Sequence, residues 1–375
     1  MITSAQPTEH RIPVIILPVG LAVVLLVMGL RGELTAAWGY GLFLVATLLI
    51  LAGAAAFLLF MLTRAFDGAA LRGAFTWLLR LGGWCYILAI GAFSGFYFHE
   101  ALQGRVEGKW MLFGPTVLVA IIVLDWGLYR LLIKKNLPTW RRFGHLFSRE
   151  ASDPEAMRRT LVDDVLLHRS LLSVSGFRWL KHTLILWGFG VMFGVEMIAV
   201  MVREVLPALG YADLWHVPGH PLRLAFDFAF DATGLMVLVG TVLALGWRLK
   251  VNGTEEQKYT DTPTAAFLFL VVASGFLVEG LRIAQTGPLA TDVYSFVGYA
   301  TALVLGAPGD GAQSLYEGLW IVHVVGSCVF IGYVPVKRLV HSCATPMGRL
   351  MNSQTDLLAA KKRESLRGLL VGKDL

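Results

Sequence analysis

Eight apolar stretches separated by polar connections set the plan of the chain: residues 12–30, 38–62, 75–98, 110–133, 180–205, 222–247, 264–284 and 316–340. An α-helix needs roughly 20 apolar residues to cross a hydrocarbon layer about 30 Å thick, and each stretch is near or above that length. Inside a bilayer the backbone must satisfy its own hydrogen bonds, so each stretch predicts a helix. The expected fold is all-α, a polytopic membrane helix bundle of about eight transmembrane helices. A further apolar piece at 293–305 is too short to span and is expected along the outer interface. The first stretch follows a polar leader with no basic residue before Arg11 and no small-residue cleavage motif, which reads as a retained anchor.

Composition agrees with the pattern. Hydrophobic residues make up 56% of the 375 positions and charged residues 15%, where a soluble domain carries about 25% charge. The net charge of +6 does not call for nucleic acid, because basic residues of membrane proteins gather in cytoplasmic loops. Here Lys134, Lys135, Arg141, Arg142, Arg149, Arg158, Arg159, Arg169, Arg178 and Lys181 fall in one connection. Arg248, Lys250 and Lys258 fall in the next connection on that side, whereas the opposite connections hold chiefly Arg31, Arg105, Lys109 and Arg203. Both termini are therefore expected in the cytoplasm, with the chain in a bacterial cytoplasmic (inner) membrane. The division expected is a four-span region at 1–133, a basic cytoplasmic connection at 134–178, a second membrane domain at 179–352 and a tail at 353–375. No internal repeat is evident, which disfavours an inverted-repeat transporter. Cys85, Cys328 and Cys343 form no CxxC or CxxCH, so the chain has no iron–sulfur or c-type haem motif of its own.

The candidate chemistry lies in the second half. His323 and His341 are 18 residues apart, about five helical turns, so both lie on one helix face with about 27 Å of rise between them. Histidine within a membrane segment points to function, and two on one stripe suit axial ligation of haems stacked across the bilayer. His182 opens the fifth span on the side where His341 ends the eighth, which places a bis-histidine haem b site at one depth. The competing reading is that both are interfacial histidines bonded to loops or headgroups. A partner for His323 is sought on the outward half of the fifth span, where Met192 stands among Gly188, Gly190 and Gly194. Methionine can ligate haem iron, although most methionines in such helices serve packing. His99, His216 and His220 are rival partners.

Intramembrane acids are the second signal. Glu196 follows His182 by 14 residues and returns within about 40° of its face. Glu279 and Arg282 are one turn apart near the outer end of the seventh span. They can exchange protons with a quinol and hold a quinone oxygen, or they can be a structural ion pair. Asp227 and Asp231 read as packing or capping acids. His145 and His168 have no ligand at metal spacing and read as surface residues.

The run from 177 to 352 resembles the NarI-like membrane cytochrome b family, which comprises the gamma subunit of respiratory nitrate reductase, DsrM, HdrE and the cytochrome b subunits of sulfate-reducer transmembrane redox complexes. The carrying stretches are Lys181-His182 with Trp187-Gly188-Phe189, Asp231-Ala232-Thr233-Gly234 ahead of Trp247-Arg248, and Ser274 through Arg282. Val297-Gly298-Tyr299-Ala300, Trp320-Ile321-Val322-His323 and Val334-Pro335 on to His341 and Pro346 complete the set. The resemblance implies an anaerobic respiratory subunit with one or two haems b that exchanges electrons with menaquinone or another quinone. It implies a cytoplasmic Fe–S partner of the HdrD/DsrK kind, and in some branches a periplasmic multihaem cytochrome c. His182 and His341 match the inner haem ligands and His323 an outer one. Met192 stands where the nitrate reductase branch has its fourth ligand. Such a chain cannot complete a reaction alone and is an electron-transfer subunit. A membrane transporter or a cofactor-free membrane anchor are the alternatives.

Overall fold

The computed structural model describes residues 16–63, 68–106, 108–128, 154–217, 219–250, 262–287, 289–306, 309, 311–333 and 349. Among them no strand occurs, and seven helices are long and apolar enough to cross a membrane. The chain is an all-α, multi-pass membrane protein.

The helices follow the apolar stretches closely. They are α1 (Ile16–Leu30), α2 (Ala36–Thr63), α3 (Gly68–Leu102), α4 (Trp110–Leu128), α5 (Pro154–Arg159), α6 (Arg169–Leu172) and α7 (Gly176–Val200). Then come α8 (Pro221–Lys250), α9 (Thr262–Thr286), α10 (Phe296–Leu305) and α11 (Ala312–Tyr333). Of the first stretch, α1 covers 15 described residues, and residues 12–15 lie outside the described residues. The ends of the fourth and eighth stretches, 129–133 and 334–340, lie outside the described residues. Boundaries obey local chemistry. Ser175 caps α7 by accepting from the Arg178 N–H at 3.3 Å, and α8 begins on Pro221, whose missing N–H costs nothing in a first turn. Gly287 ends α9 in a left-handed conformation, φ +76°.

The described chain forms two compact units. One holds residues 1–57, 73–107 and Glu204–Tyr211. Its close packing comes from small residues: a Cβ on Gly29 of α1 would lie 2.6 Å from the Gly95 carbonyl carbon of α3. Membrane helices associate largely through such close backbone approach, because lipid gives them no hydrophobic drive toward one another.

The other unit holds α4 through α11, except Glu204–Tyr211, together with the described end of α2 from 58 and the start of α3 up to 72. Val237, Leu268, Val272 and Phe330 form its core, joined by Ile185 and Phe189, so that α7, α8, α9 and α11 meet there. Span four also belongs here, with Trp110 and Phe113 of α4 against Trp320 of α11 at ring-centroid distances of 5.5 and 5.9 Å. Phe177 meets Trp247 at 5.0 Å, and the Lys181 and Lys250 ammonium groups lie near the same indole. This basic, aromatic end is what an interface anchor looks like. The short α10 packs on α9 through Ile283, Ala284, Ala302 and Tyr299. Its N-terminus is capped from α8: the buried Asp231 carboxylate accepts the N–H groups of Val297 and Gly298. Asp231 is therefore a capping acid, as its spacing suggested, and it satisfies backbone donors that lipid cannot.

Candidate functional site

The α7/α11 register follows from one aromatic pair. Phe189 and Phe330 have ring centroids 5.9 Å apart, and the two helices run antiparallel. Counting away from that pair toward the far end, Glu196 on α7 and His323 on α11 are both seven residues on, at about 10 Å of rise. Met192 is only three residues beyond Phe189, so it stands about 6 Å nearer the basic end than His323. A methionine side chain has three rotatable bonds with which to cover such an offset.

His323 is held by α9. Its Nδ1 lies 3.0 Å from the Val271 carbonyl oxygen and 3.1 Å from Ser274 Oγ, while Ser274 itself donates to Val271 at 2.8 Å. The tautomer that suits this pattern carries the proton on Nδ1 and presents Nε2 as the acceptor, which is how metal-binding histidines are oriented. The ring fits because position 275 is glycine: a Cβ there would lie 2.9 Å from His323 Cε1. His323 thus fits the role of an axial ligand, with its outer nitrogen fixed as the acceptor.

At the basic end, His182 meets an unexpected neighbour. The ring of His168 lies against it, centroids 5.0 Å apart and planes 58° apart. Sequence spacing placed His168 on the surface, whereas the structure makes it half-buried and in contact with the foremost ligand candidate. Trp179 and Trp187 of α7 donate to the carbonyls of Leu167 and Leu166 at 2.8 and 3.1 Å, and so tie the 160–167 segment along α7. His341 lies outside the described residues. Arg349, eight residues farther along the chain, ion-pairs Asp164 at 2.9 Å and donates to Ser170 at 2.9 Å. The C-terminal chain thus returns to the segment that bears His168.

The acids form a separate group at the far end. Glu279 and Arg282 are joined by two hydrogen bonds of 2.8 and 3.1 Å, and Asp292 stands 4.0 Å from the same guanidinium. Gly298 lets this pair form, since a Cβ there would lie 2.5 Å from Glu279 Cγ. Asp227 pairs with Arg223 at 2.8 Å, and Glu196 with Arg203 at 3.8 Å. Both of those arginines flank Trp215, at 4.4 and 5.4 Å from its ring centroid. Sequence reading passed over Trp215 and Arg223, and counted Arg203 only for topology. Their signal was available in part, because arginine is sparse at this end and Arg223 is one turn from Asp227. An apolar recess of about 500 Å³ is lined by Pro221, Leu224, Ala225 and Phe228 of α8 and by Tyr294.

Each rival histidine is also bonded through its Nδ1. His99 Nδ1 bonds the Leu30 carbonyl at 3.1 Å. His216 Nδ1 is 2.7 Å from Asp213, whose carboxyl that bond holds below its ordinary range. His220 Nδ1 accepts the Leu222 N–H at 3.3 Å.

The chain has detectable relatives. It is 27% identical over 194 residues to HdrE of Methanosarcina thermophila, a component of dihydromethanophenazine:CoB–CoM heterodisulfide reductase, covering 51% of this chain and 65% of that one. HdrE of Methanosarcina barkeri is 25% identical over 208 residues, 53% of this chain and 67% of that one. The resemblance read from the motifs therefore stands. The EtfAB:quinone oxidoreductase of Syntrophomonas wolfei is 26% identical over 177 residues, 44% of this chain but 23% of that larger protein. The chain thus spans about two thirds of the length of the HdrE relatives it matches. No protein-family model matches the chain, and no solved structure matches it significantly.

Proposed function

We propose that this chain is the haem b-bearing membrane component of a quinone-linked redox complex. It moves electrons between the membrane quinone pool and a cytoplasmic Fe–S subunit. The observation that carries the reading is His323, an imidazole inside a membrane span whose Nδ1 is committed to Val271 and Ser274 and whose Nε2 is left to bind. The relatives support it, since one group is named for dihydromethanophenazine and another for quinone.

In this reading, His182 and His341 would hold a haem at the basic, cytoplasmic end, and His323 with Met192 would hold one toward the far end. Haem b would supply one-electron transfer. The protein's own groups supply binding and proton exchange. The apolar recess beside Tyr294 is of a size for a quinone ring, and most ligand sites pair such a surface with a few polar groups. Arg282 orients a quinone oxygen while Glu279 gives or takes its proton. The Fe–S partner would meet the basic residues of the 134–178 connection, of which those before 154 lie outside the described residues.

The test is direct reduction. A water-soluble menaquinol analogue added to the purified, air-oxidised protein is expected to produce a reduced b-type spectrum. A protein whose spectrum dithionite changes but quinol leaves unchanged would contradict the quinone link.

A further inference from the structure

We propose that Asp231 is a positioning residue for proton exchange at the far end: by capping α10 from α8, it holds Gly298 against Glu279 and fixes the Glu279–Arg282 pair. This rests on the quinone reading of that pair given above.

A helix start leaves its first N–H groups without intrahelical partners, and a serine just before the helix is of the type that usually satisfies them. Ser295 precedes α10, yet it makes no side-chain cap bond among the described residues. The cap comes from another helix. One oxygen of Asp231, Oδ2, accepts the N–H groups of both Val297 and Gly298. Asp231 is buried, and burial of a charge is unfavourable unless hydrogen bonds replace the lost water. A serine already in place could cap α10 without burying a charge. What the remote carboxylate adds is position, because it ties the first turn of α10 to α8.

That first turn bears directly on the acid of α9. A Cβ on Gly298 would lie 2.5 Å from Glu279 Cγ and 3.3 Å from Glu279 Cβ. The contact is reciprocated nearby, where a Cβ on Gly280 would lie 2.5 Å from Thr301 Cγ2. With a glycine on each helix, the two backbones close on the turn of α9 that carries Glu279. The Glu279 side chain runs along Gly298 on its way to Arg282, so its rotamer depends on where Gly298 stands. The segment before α10 is joined to the same start. The Ser295 N–H donates to the Asp292 carbonyl at 3.0 Å, Asp292 stands 4.0 Å from Arg282, and Tyr294 lines the apolar recess. Farther along α10, Ala302 and Tyr299 pack on Ile283 and Ala284 without help from the cap. A change at Asp231 therefore shifts the first turn and leaves the rest of α10 in place.

The competing role for a buried acid here is to carry the proton itself. Two substitutions separate position from proton. Asp231→Asn keeps the shape and an acceptor oxygen but loses the acid. Asp231→Glu keeps the acid but is longer by one methylene, which pushes the first turn of α10 away from its place.

The test uses the full-length protein in detergent, with haem per chain measured in every variant and reduction by the menaquinol analogue followed by stopped flow. Asp231→Asn is expected to stay within about threefold of the wild-type rate. Asp231→Glu is expected to be slower by about 10-fold or more, since a displacement of about 1 Å can reach a loss of about 10²-fold. In a Glu279→Gln background the same change should slow reduction by no more than about twofold, because effects that pass through one residue do not add. Hydrogen exchange of the air-oxidised protein reads the cap without quinol. Amides 296–299 should exchange at the wild-type rate in Asp231→Asn and about 10-fold faster in Asp231→Ala. The opposite order of rates, glutamate fast and asparagine slow, would make Asp231 a proton carrier and overturn the proposal. So would a glutamate variant at the wild-type rate, a glutamate loss that persists in full beside Glu279→Gln, or unchanged exchange in Asp231→Ala. Should Asp231→Ala not fold, the order of rates and the double variant decide. A wild type that quinol leaves oxidised fails the quinone reading, whereas a reducible wild type with the opposite order of variants fails this proposal alone.

Discussion

His323→Ala is expected to give a folded, membrane-inserted protein that has lost the far-end haem and kept the one at the basic end. The side chain projects into the seam of α9 and α11 against Val271, Ser274 and Gly275, so alanine creates space without burying an unpaired charge. Loss of an axial ligand should be close to all-or-none for that haem. The neighbours should grade the effect. Ser274→Ala removes one of two acceptors at Nδ1 and should weaken haem retention by no more than the roughly 10–100-fold seen for such supporting partners. Gly275→Ala places a methyl group 2.9 Å from Cε1 and must turn the ring. Its haem should be retained with an altered potential. Haem per chain by pyridine haemochrome, together with redox titration, checks the series. An unchanged haem content in His323→Ala would remove this histidine from the ligand set.

Glu279→Gln is expected to slow quinol-driven haem reduction by about 10²-fold or more, the usual contribution of a positioned proton-transfer group. The haem content should stay unchanged. Glutamine keeps the shape and can still accept from Arg282, so the loss isolates the proton. Arg282→Ala should fall further, because it also strands Glu279 and removes the cation that stands 4.0 Å from Asp292. Gly298→Ala presses on Glu279 Cγ and should move the rate in the same direction to a smaller extent. Stopped-flow reduction by the menaquinol analogue reads all three. Rates within twofold of the wild type would make the Glu279–Arg282 pair a structural bridge.

The spans were legible because hydropathy is local: a run of apolar residues the length of a bilayer needs no knowledge of its neighbours. The ion pair of Glu279 and Arg282 was legible for the same reason, being one turn of one helix. Asp231 was readable as a cap, but its partners are 66 and 67 residues away, and no local pattern names them. His168 was the hardest. Neither metal spacing nor amphipathicity marks it, and its placement comes from a left-handed backbone, two indole bonds and an arginine near the C-terminus. The Arg203–Trp215–Arg223 stack was hidden likewise, since it joins the end of one span to the start of the next through a loop tryptophan.

A dithionite-reduced minus air-oxidised spectrum of the purified chain, with pyridine haemochrome quantification, comes before all variants. A b-type spectrum with haem at both His182 and His323, each lost in the matching alanine variant, is what the arrangement predicts. A colourless protein that assembles normally would contradict it, leaving the histidines and acids to a transporter or to a cofactor-free membrane anchor.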